Sequence, residues 1–320
     1  MLLKLRHKVD LECIEVPVRR RDCRSSPLLT AEVQVMHRSR FSAGRAFLIL
    51  GFLFGSSAFG RDSPSSSAST VPFELLSDFL VVVNGQVGEF AGLRFILDTG
   101  SSYTVIDQRV ADKLRLPRRP GKITNFDRDI PVEWADVQEL HAGPIQTSKA
   151  SVIVVRLSEY SEFAENVDGI IGLDQLSRSK KLTIDYERRV VSFELFEDDA
   201  GARAPARSFV VPIVVQGLRM RLLVDTGFHY ILLYRDRLQN GLPNVSTVGQ
   251  AKSAVIGRLR ATEVNLPGVK IAGPEQVATV FLINSPIGGD PHGVDGYLGP
   301  ASLHAKRIEL DFAASKLRWE

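Results

Sequence analysis

The sequence predicts an all-β protein built from two duplicated lobes, and three observations support this prediction. Residues 95–102, Phe-Ile-Leu-Asp-Thr-Gly-Ser-Ser, recur as residues 222–229, Leu-Leu-Val-Asp-Thr-Gly-Phe-His, 127 positions later. An apolar stretch bounded by glycines, residues 167–172, recurs as residues 294–299 at the same spacing. Each half also ends in two short apolar runs separated by turn residues, which is typical of a β-hairpin. Motifs that repeat in order at one spacing indicate an internal duplication.

The composition places the basic charge of the chain outside the two lobes. The chain has 320 residues and a formal net charge of +3, but residues 1–60 carry ten Lys or Arg and five Asp or Glu. Removing this surplus of +5 leaves −2 for the lobes, so the basic charge does not indicate a nucleic-acid surface. Both cysteines, Cys13 and Cys23, precede the lobes. The lobes are therefore expected to be stabilised by packed β-structure without a disulfide.

Residues 1–60 are interpreted as a leader that contains a signal peptide. Residues 46–59 form an apolar run preceded by three arginines. The run is shorter than the about 20 residues that a membrane span needs, and it fits the apolar region of a secretory signal. We expect cleavage after Gly60 and a true start at Met36. The protein would then be exported to the periplasm or secreted, and it would be tethered to a membrane if the leader stays uncleaved.

The remaining chain divides into two lobes with two connecting segments. Residues 61–72 are rich in Ser and predict a flexible tether. The first lobe is assigned to residues 73–198 and the second to residues 209–320. Between them, residues 199–208 are poor in apolar side chains and predict a linker.

The first lobe is expected to begin with a β-hairpin that leads into the first Asp-Thr-Gly loop. Residues 79–83 form an apolar run rich in valine that stops at Asn84 and Gly85, a pair that favours a two-residue hairpin turn. The chain then returns to Leu97 through a strand with one wholly apolar face. The loop therefore follows a core strand.

The other predicted elements follow from apolar spacing. Residues 106–116 have apolar side chains at helical spacing, whereas residues 130–134 and 151–155 are strand candidates. Residues 182–193 and 308–319 predict the hairpins that end the two lobes.

Together, the two Asp-Thr-Gly loops and the two glycine-bounded stretches resemble the aspartic peptidases, specifically the retropepsin-like group. The resemblance covers about residues 73–320. It implies an acid-protease barrel fold with a cleft between the lobes, a polypeptide substrate, and Asp98 and Asp225 as the catalytic pair. It also implies that one hairpin within residues 121–157 is the flap that closes over the substrate.

Peptide hydrolysis without a metal requires a base and an acid at the same time, and a pair of carboxyl groups can supply both. Two carboxyls about 3 Å apart share one proton, as is known for aspartic proteases. Gly100 and Gly227 would allow the loops to turn tightly and approach each other. By resemblance, the hydroxyls of Thr99 and Thr226 would bond to the backbone of the opposite lobe.

The residue after Asp-Thr-Gly differs between the two loops. Ser101 is expected to hydrogen-bond to the neighbouring carboxylate, whereas Phe228 has no side-chain donor. A hydrogen bond to the charged form lowers a pKa, and an apolar neighbour raises it. We therefore expect Asp98 to be the ionised partner and Asp225 to hold the proton. The alternative is that Phe228 marks an inactive protein that binds peptides or proteins in the same cleft.

Other polar residues are not assigned to the chemistry. Asp168 and Asp295 each precede a glycine and are expected to cap turns, while His229 is expected to pack at the rim. No metal or cofactor is expected, and neither is a nucleic-acid partner. The chain is expected to be a monomer with two pseudo-symmetric lobes. Three histidines show no metal-ligand spacing: His141, His292 and His304.

Overall fold

The computed structural model describes residues 68–125, 128–160, 167–196, 208–238, 247–253, 257–271, 273–285, 290 and 292–320. The predicted leader, the first part of the predicted tether and nearly all of the predicted linker lie outside the described residues. The boundaries of the two lobes therefore stay predictions. The described residues all fall within one compact unit of the chain.

The first lobe is an open β-sheet. Its elements in chain order are β1 (Ser69–Pro72), β2 (Glu74–Leu76), β3 (Leu80–Val87), β4 (Phe90–Leu97), β5 (Val105–Asp107), α1 (Gln108–Lys113), β6 (Arg118–Asn125), β7 (Arg128–Val137), β8 (Leu140–Ala142), β9 (Ile145–Thr147), β10 (Ala150–Val155), α2 (Leu157–Tyr160), β11 (Gly169–Ile171), α3 (Leu173–Leu176), β12 (Ser179–Asp185) and β13 (Val190–Leu195). The sheet order is β6-β7-β10-β5-β11-β4-β3-β8-β9, with β2 paired to β3.

The second lobe repeats this order and closes it into a barrel. Its elements are β14 (Val210–Val215), β15 (Leu218–Val224), β16 (Ile231–Tyr234), β17 (Thr247–Ser253), β18 (Gly257–Lys270), β19 (Gln276–Ile283), β20 (Gly296–Leu298), β21 (Arg307–Asp311), β22 (Lys316–Trp319), and short 3-10 helices at Arg235–Arg237 and Pro300–Leu303. The order is β14-β15-β20-β16-β19-β18-β17, and β14 also pairs with β18. The prediction of an all-β fold with duplicated lobes is confirmed.

A third sheet joins the two lobes. The predicted terminal hairpins are present as β12–β13 and β21–β22, and β12 pairs with β21 in a sheet of order β1-β13-β12-β21-β22. Their pairing was not predicted. β1 pairs with β13 from Ser69 to Pro72, so these four residues form a strand where a flexible tether was predicted. The prediction was wrong here because local composition does not report the open edge of β13, which supplies their backbone partners.

The predicted hairpin before the first loop is present, but its turn was placed too early. β3 and β4 are joined at Gly88 and Glu89, with Val87 opposite Phe90. Gly85 instead lies within β3, next to the point where Gly92 forms a β-bulge in β4. A Cβ at Gly85 would lie 2.3 Å from the main-chain oxygen of His141 in β8, so glycine is required here by close packing between strands.

The predicted helix over residues 106–116 is shorter than expected. Residues 105–107 form β5, and the helix α1 begins at Gln108 because the side chain of Asp107 accepts a hydrogen bond from the Arg109 amide at its N-terminus. The strand candidates 130–134 and 151–155 are confirmed within β7 and β10. None of the helices in the described ranges is long and apolar enough to cross a membrane.

Candidate active site

Each Asp-Thr-Gly loop follows a buried strand that lies beside a glycine-bounded strand. β4 pairs in parallel with β11, and β15 pairs in parallel with β20. The Asp98 amide donates to the main-chain oxygen of Ile171 at 3.0 Å, and the Asp225 amide donates to that of Leu298 at 3.1 Å. The duplicated sequence therefore places the two aspartates in equivalent backbone positions.

The two loops hold each other through crossed threonine hydrogen bonds. The Thr99 hydroxyl donates to the Val224 carbonyl at 2.8 Å, and the Thr226 hydroxyl donates to the Leu97 carbonyl at 2.7 Å. Each hydroxyl also accepts the amide of the opposite threonine, at 3.1 and 3.0 Å. The predicted bonds to the opposite lobe are thus present. Because both threonines are buried, these bonds fix the distance between the loops.

The two aspartate carboxyls face each other across this contact. A Cβ at Gly100 would lie 2.4 Å from Cγ of Asp225, and a Cβ at Gly227 would lie 2.5 Å from Oδ2 of Asp98. The carboxyls are hydrogen-bonded to each other, and the residues are only 4% and 7% exposed. Both glycines are therefore needed for the close approach, as the sequence predicted.

The surroundings of the two carboxyls differ. Burial raises the pKa of Asp98. The hydrogen bond from the Asp225 carboxyl opposes this increase first, followed by the amides of Gly100 at 2.8 Å and Ser101 at 3.2 Å, which donate to Oδ1, and by the Gly227 amide. Burial and then the charge of Asp98 raise the pKa of Asp225 well above its usual value, and the amide that opposes this is that of Gly227. Asp98 therefore faces more donors that favour its charged form than Asp225 does, and the assignment of the shared proton to Asp225 stays a prediction.

The donors that face the two carboxyls differ from the predicted ones. The Ser101 hydroxyl donates to the main-chain oxygen of Tyr103 at 2.7 Å, so its amide and not its hydroxyl bonds to Asp98. The Phe228 amide donates to the main-chain oxygen of Asp225 at 3.1 Å instead of to the carboxylate. The two carboxyls therefore differ in the backbone amides that they accept, which residue types alone do not specify.

Phe228 packs into the second lobe. It is 4% exposed and belongs to an apolar cluster with Leu223 and Ala261, against which Tyr230 also packs. In the first lobe, Trp134 packs edge to face on Tyr103 with ring centroids 5.3 Å apart.

Asp168 and Asp295 do not cap turns as expected. The Asp168 carboxylate accepts the Arg94 amide at 3.0 Å, and the Asp295 carboxylate accepts the Arg221 amide at 2.9 Å. Their own amides donate back to the main-chain oxygens of the same arginines. They tie the glycine-bounded segments to the strands that carry the Asp-Thr-Gly loops, a contact between residues 74 positions apart that the local sequence does not indicate.

His229 packs as expected, with its ring centroid 4.9 Å from that of Phe79 in the first lobe and 4.2 Å from that of Tyr230.

Two polar residues behind the first loop, Thr104 and Asp174, were not singled out from the sequence. Their counterparts 127 positions later are Ile231 and Ala301, so a search for repeated residues passes over them. Across the described ranges, no group of three or more His, Cys, Asp or Glu could hold a metal ion.

Two β lobes that present a pair of hydrogen-bonded carboxyls on crossed Asp-Thr-Gly loops define the acid-protease class of fold. Residues 81–175, which include the first loop and the first glycine-bounded strand, match the family model described as aspartyl protease. The resemblance to the aspartic peptidase family is thereby confirmed. A comparison with curated proteins gives no match.

Proposed function

We propose that this protein is an aspartic endopeptidase that cleaves polypeptides with Asp98 and Asp225. The observation that supports this most directly is the hydrogen-bonded carboxyl pair, in which amides favour the charge on Asp98 and burial favours the proton on Asp225. An acid and a base side by side are what hydrolysis by an activated water requires.

The proposed reaction begins with a water molecule between the two carboxyls. Asp98 removes a proton from the water as its oxygen attacks the carbonyl carbon, while Asp225 donates its proton to the carbonyl oxygen. The tetrahedral intermediate then collapses: Asp98 passes its proton to the leaving nitrogen, and a hydroxyl proton returns to Asp225. The C–N bond is broken, one water is consumed, and the pair regains its initial protonation.

We assign the flap to the hairpin β6–β7. Its strands pair without interruption from Arg118 opposite Ala135 to Asn125 opposite Arg128. Trp134 of this hairpin packs on Tyr103, which lies in the same loop as Asp98. An extended substrate would bind in the cleft below this hairpin and form main-chain hydrogen bonds with exposed strand edges. Such bonds can form with any substrate sequence.

The test is cleavage of a random peptide mixture by the whole chain between about pH 3 and 7, the range in which carboxyl pairs titrate. We expect cleavage by the wild type and none by Asp98→Asn or Asp225→Asn, since each variant lacks either the base or the acid. Glu187→Gln is the control, because that carboxylate is exposed in the turn between β12 and β13, away from the loops and the flap, and bonds to Lys306. A folded wild type that binds peptides without cutting them would instead support the inactive binding protein.

We also propose that the protein is exported and acts as a monomer. The apolar run at residues 46–59 supports export, and the presence of both aspartates in one chain makes a second copy unnecessary for the site. The N-terminal residue of the mature protein tests the first proposal: a start at Arg61 supports cleavage after Gly60, whereas an intact leader supports a membrane tether. Light scattering of the purified protein tests the second.

A further inference from the structure

A chain of side-chain hydrogen bonds lies behind the catalytic loop of the first lobe. The Thr104 hydroxyl donates to Oδ1 of Asp174 at 2.8 Å and accepts the Gly172 amide at 3.2 Å. Nε2 of Gln175 donates to Oδ2 of Asp174 at 3.1 Å, and the Thr147 hydroxyl donates to Oε1 of Gln175 at 2.7 Å. Thr104 is fully buried, so its hydroxyl exchanges no hydrogen bond with solvent.

Among the described residues of the second lobe, this chain of hydrogen bonds has no equivalent. Ile231 and Ala301 occupy the positions of Thr104 and Asp174, and neither side chain can form a hydrogen bond. The Gly299 amide bonds there to the main-chain oxygen of Tyr230 instead of to a side chain. Pro300 stands in the position of Leu173 and has no amide to donate. The two loops are therefore held from behind by different means.

In the first lobe, these bonds continue to Asp98. The Leu173 amide, between the two anchored residues Gly172 and Asp174, donates to the main-chain oxygen of Ser101 at 2.8 Å. The Ser101 amide in turn donates to Oδ1 of Asp98. In the second lobe, where the chain is missing, the corresponding amide of Phe228 does not reach the carboxylate.

We propose that Thr104 and Asp174 are positioning residues that hold the Ser101 amide on Asp98 and thereby make Asp98 the base of the pair. This inference rests on the proposed peptidase function. In the part of the chain that the structure describes, Asp225 is the titratable side chain that acts on Asp98. The effect of the Ser101 amide on Asp98 can therefore be measured without interference from a third charged group. Burial also raises the pKa of Asp174, and the hydrogen bond from Thr104 opposes this increase.

The test is the dependence of kcat/KM on pH in variants that copy the second lobe. Thr104→Val keeps the side-chain shape and removes the hydroxyl. The double variant Thr104→Val, Asp174→Ala also removes the Asp174 carboxylate, which would otherwise stay buried without the hydrogen bond from Thr104. Without the Ser101 amide, the charged form of Asp98 is less stable, so the acidic limb of the profile should move upward by about 0.5 to 1 pH unit. The alkaline limb, which reports Asp225, should move less.

Two controls separate positioning from loss of packing. Thr104→Ser keeps the hydroxyl and should retain the wild-type acidic limb. Ile231→Val removes a methyl group from the equivalent buried position of the second lobe and should leave both limbs in place. An acidic limb that stays fixed in the double variant, or that moves equally in Ile231→Val, would overturn the proposal.

A second measurement does not need activity. The titration of Asp98 can be followed by ¹³C NMR of the aspartate carboxyls, with the resonance identified from Asp98→Asn and Asp225→Asn. If the wild type cleaves nothing, the peptidase proposal fails. The NMR titration then still tests whether Thr104 and Asp174 hold the Ser101 amide on Asp98. Its midpoint should rise in Thr104→Val and not in Thr104→Ser, and an unchanged midpoint would contradict the positioning role.

Discussion

The two lobes present their Asp-Thr-Gly loops in the same backbone geometry but surround them with different side chains. Crossed threonine bonds and the close approach of Gly100 and Gly227 occur in both. Behind the first loop lies a polar chain, whereas the second loop packs among aromatic residues. The duplicated site thus keeps the residues required at the contact between its halves. The surroundings are free to diverge, and their divergence can separate an acid from a base.

Phe228 is buried in an apolar cluster of the second lobe with Leu223 and Ala261, whereas the Ser101 hydroxyl of the first lobe bonds to the main-chain oxygen of Tyr103. Phe228 is explained by packing within its own lobe, so its presence does not by itself indicate a lost activity.

The largest expected effect tests what the lobes share. Gly100→Ala and Gly227→Ala each place a methyl group within 2.6 Å of the opposite carboxyl, so the loops must separate. A displacement of about 1 Å between reacting groups can cost a hundredfold in rate, and we expect at least about that loss of kcat in both variants. Peptide cleavage by each variant checks this. If only one of the two variants lost activity, the two glycines would not be equally important, in contrast to their equivalent positions.

The next effect tests where the lobes differ. Phe228→Ser opens a cavity in the apolar cluster, so we expect the free energy of unfolding to fall by about 3 to 5 kcal/mol. Ser101→Ala loses one hydrogen bond, to Tyr103, and should cost about 1 kcal/mol. Denaturant unfolding measures both. Phe228→Leu is the control that keeps most of the volume and should cost less than about 1.5 kcal/mol; equal effects of all three substitutions would refute the packing role.

The smallest expected effect concerns stability and pH. The pKa of Asp225 is raised in the folded protein, so the carboxyl favours folding while it is protonated, and this contribution is lost as pH rises through the folded pKa. Asp225→Asn cannot ionise. Its melting temperature should therefore exceed that of the wild type at about pH 7 and approach it at about pH 3, below the ordinary carboxyl pKa.

The same measurement on Asp98→Asn tests whether the two aspartates differ in their effect on stability. The amides that face Asp98 favour its charged form, so its substitution should raise the melting temperature less than that of Asp225. A larger gain for Asp98→Asn would reverse the assignment of acid and base.

Several features could be predicted from short patterns in the sequence. The alternating apolar residues before each loop predicted buried strands, and the terminal hairpins followed from apolar runs separated by turns. The hairpin turn at Gly88 and Glu89 was missed because Asn84 and Gly85 form a stronger local turn signal. That signal is overridden by the packing of Gly85 against β8, which is more than 50 positions away.

The duplication, the carboxyl pair and the threonines that lock it can be read from the sequence, because each is a short motif repeated at one spacing. Which donors face which carboxyl depends on the folded structure. The Ser101 amide turns to Asp98, the Phe228 amide turns to a main-chain oxygen, and Thr104 meets Asp174 across 70 positions. Hydrogen bonds depend on direction and on partners brought together by folding, and neither is encoded in the type of one residue.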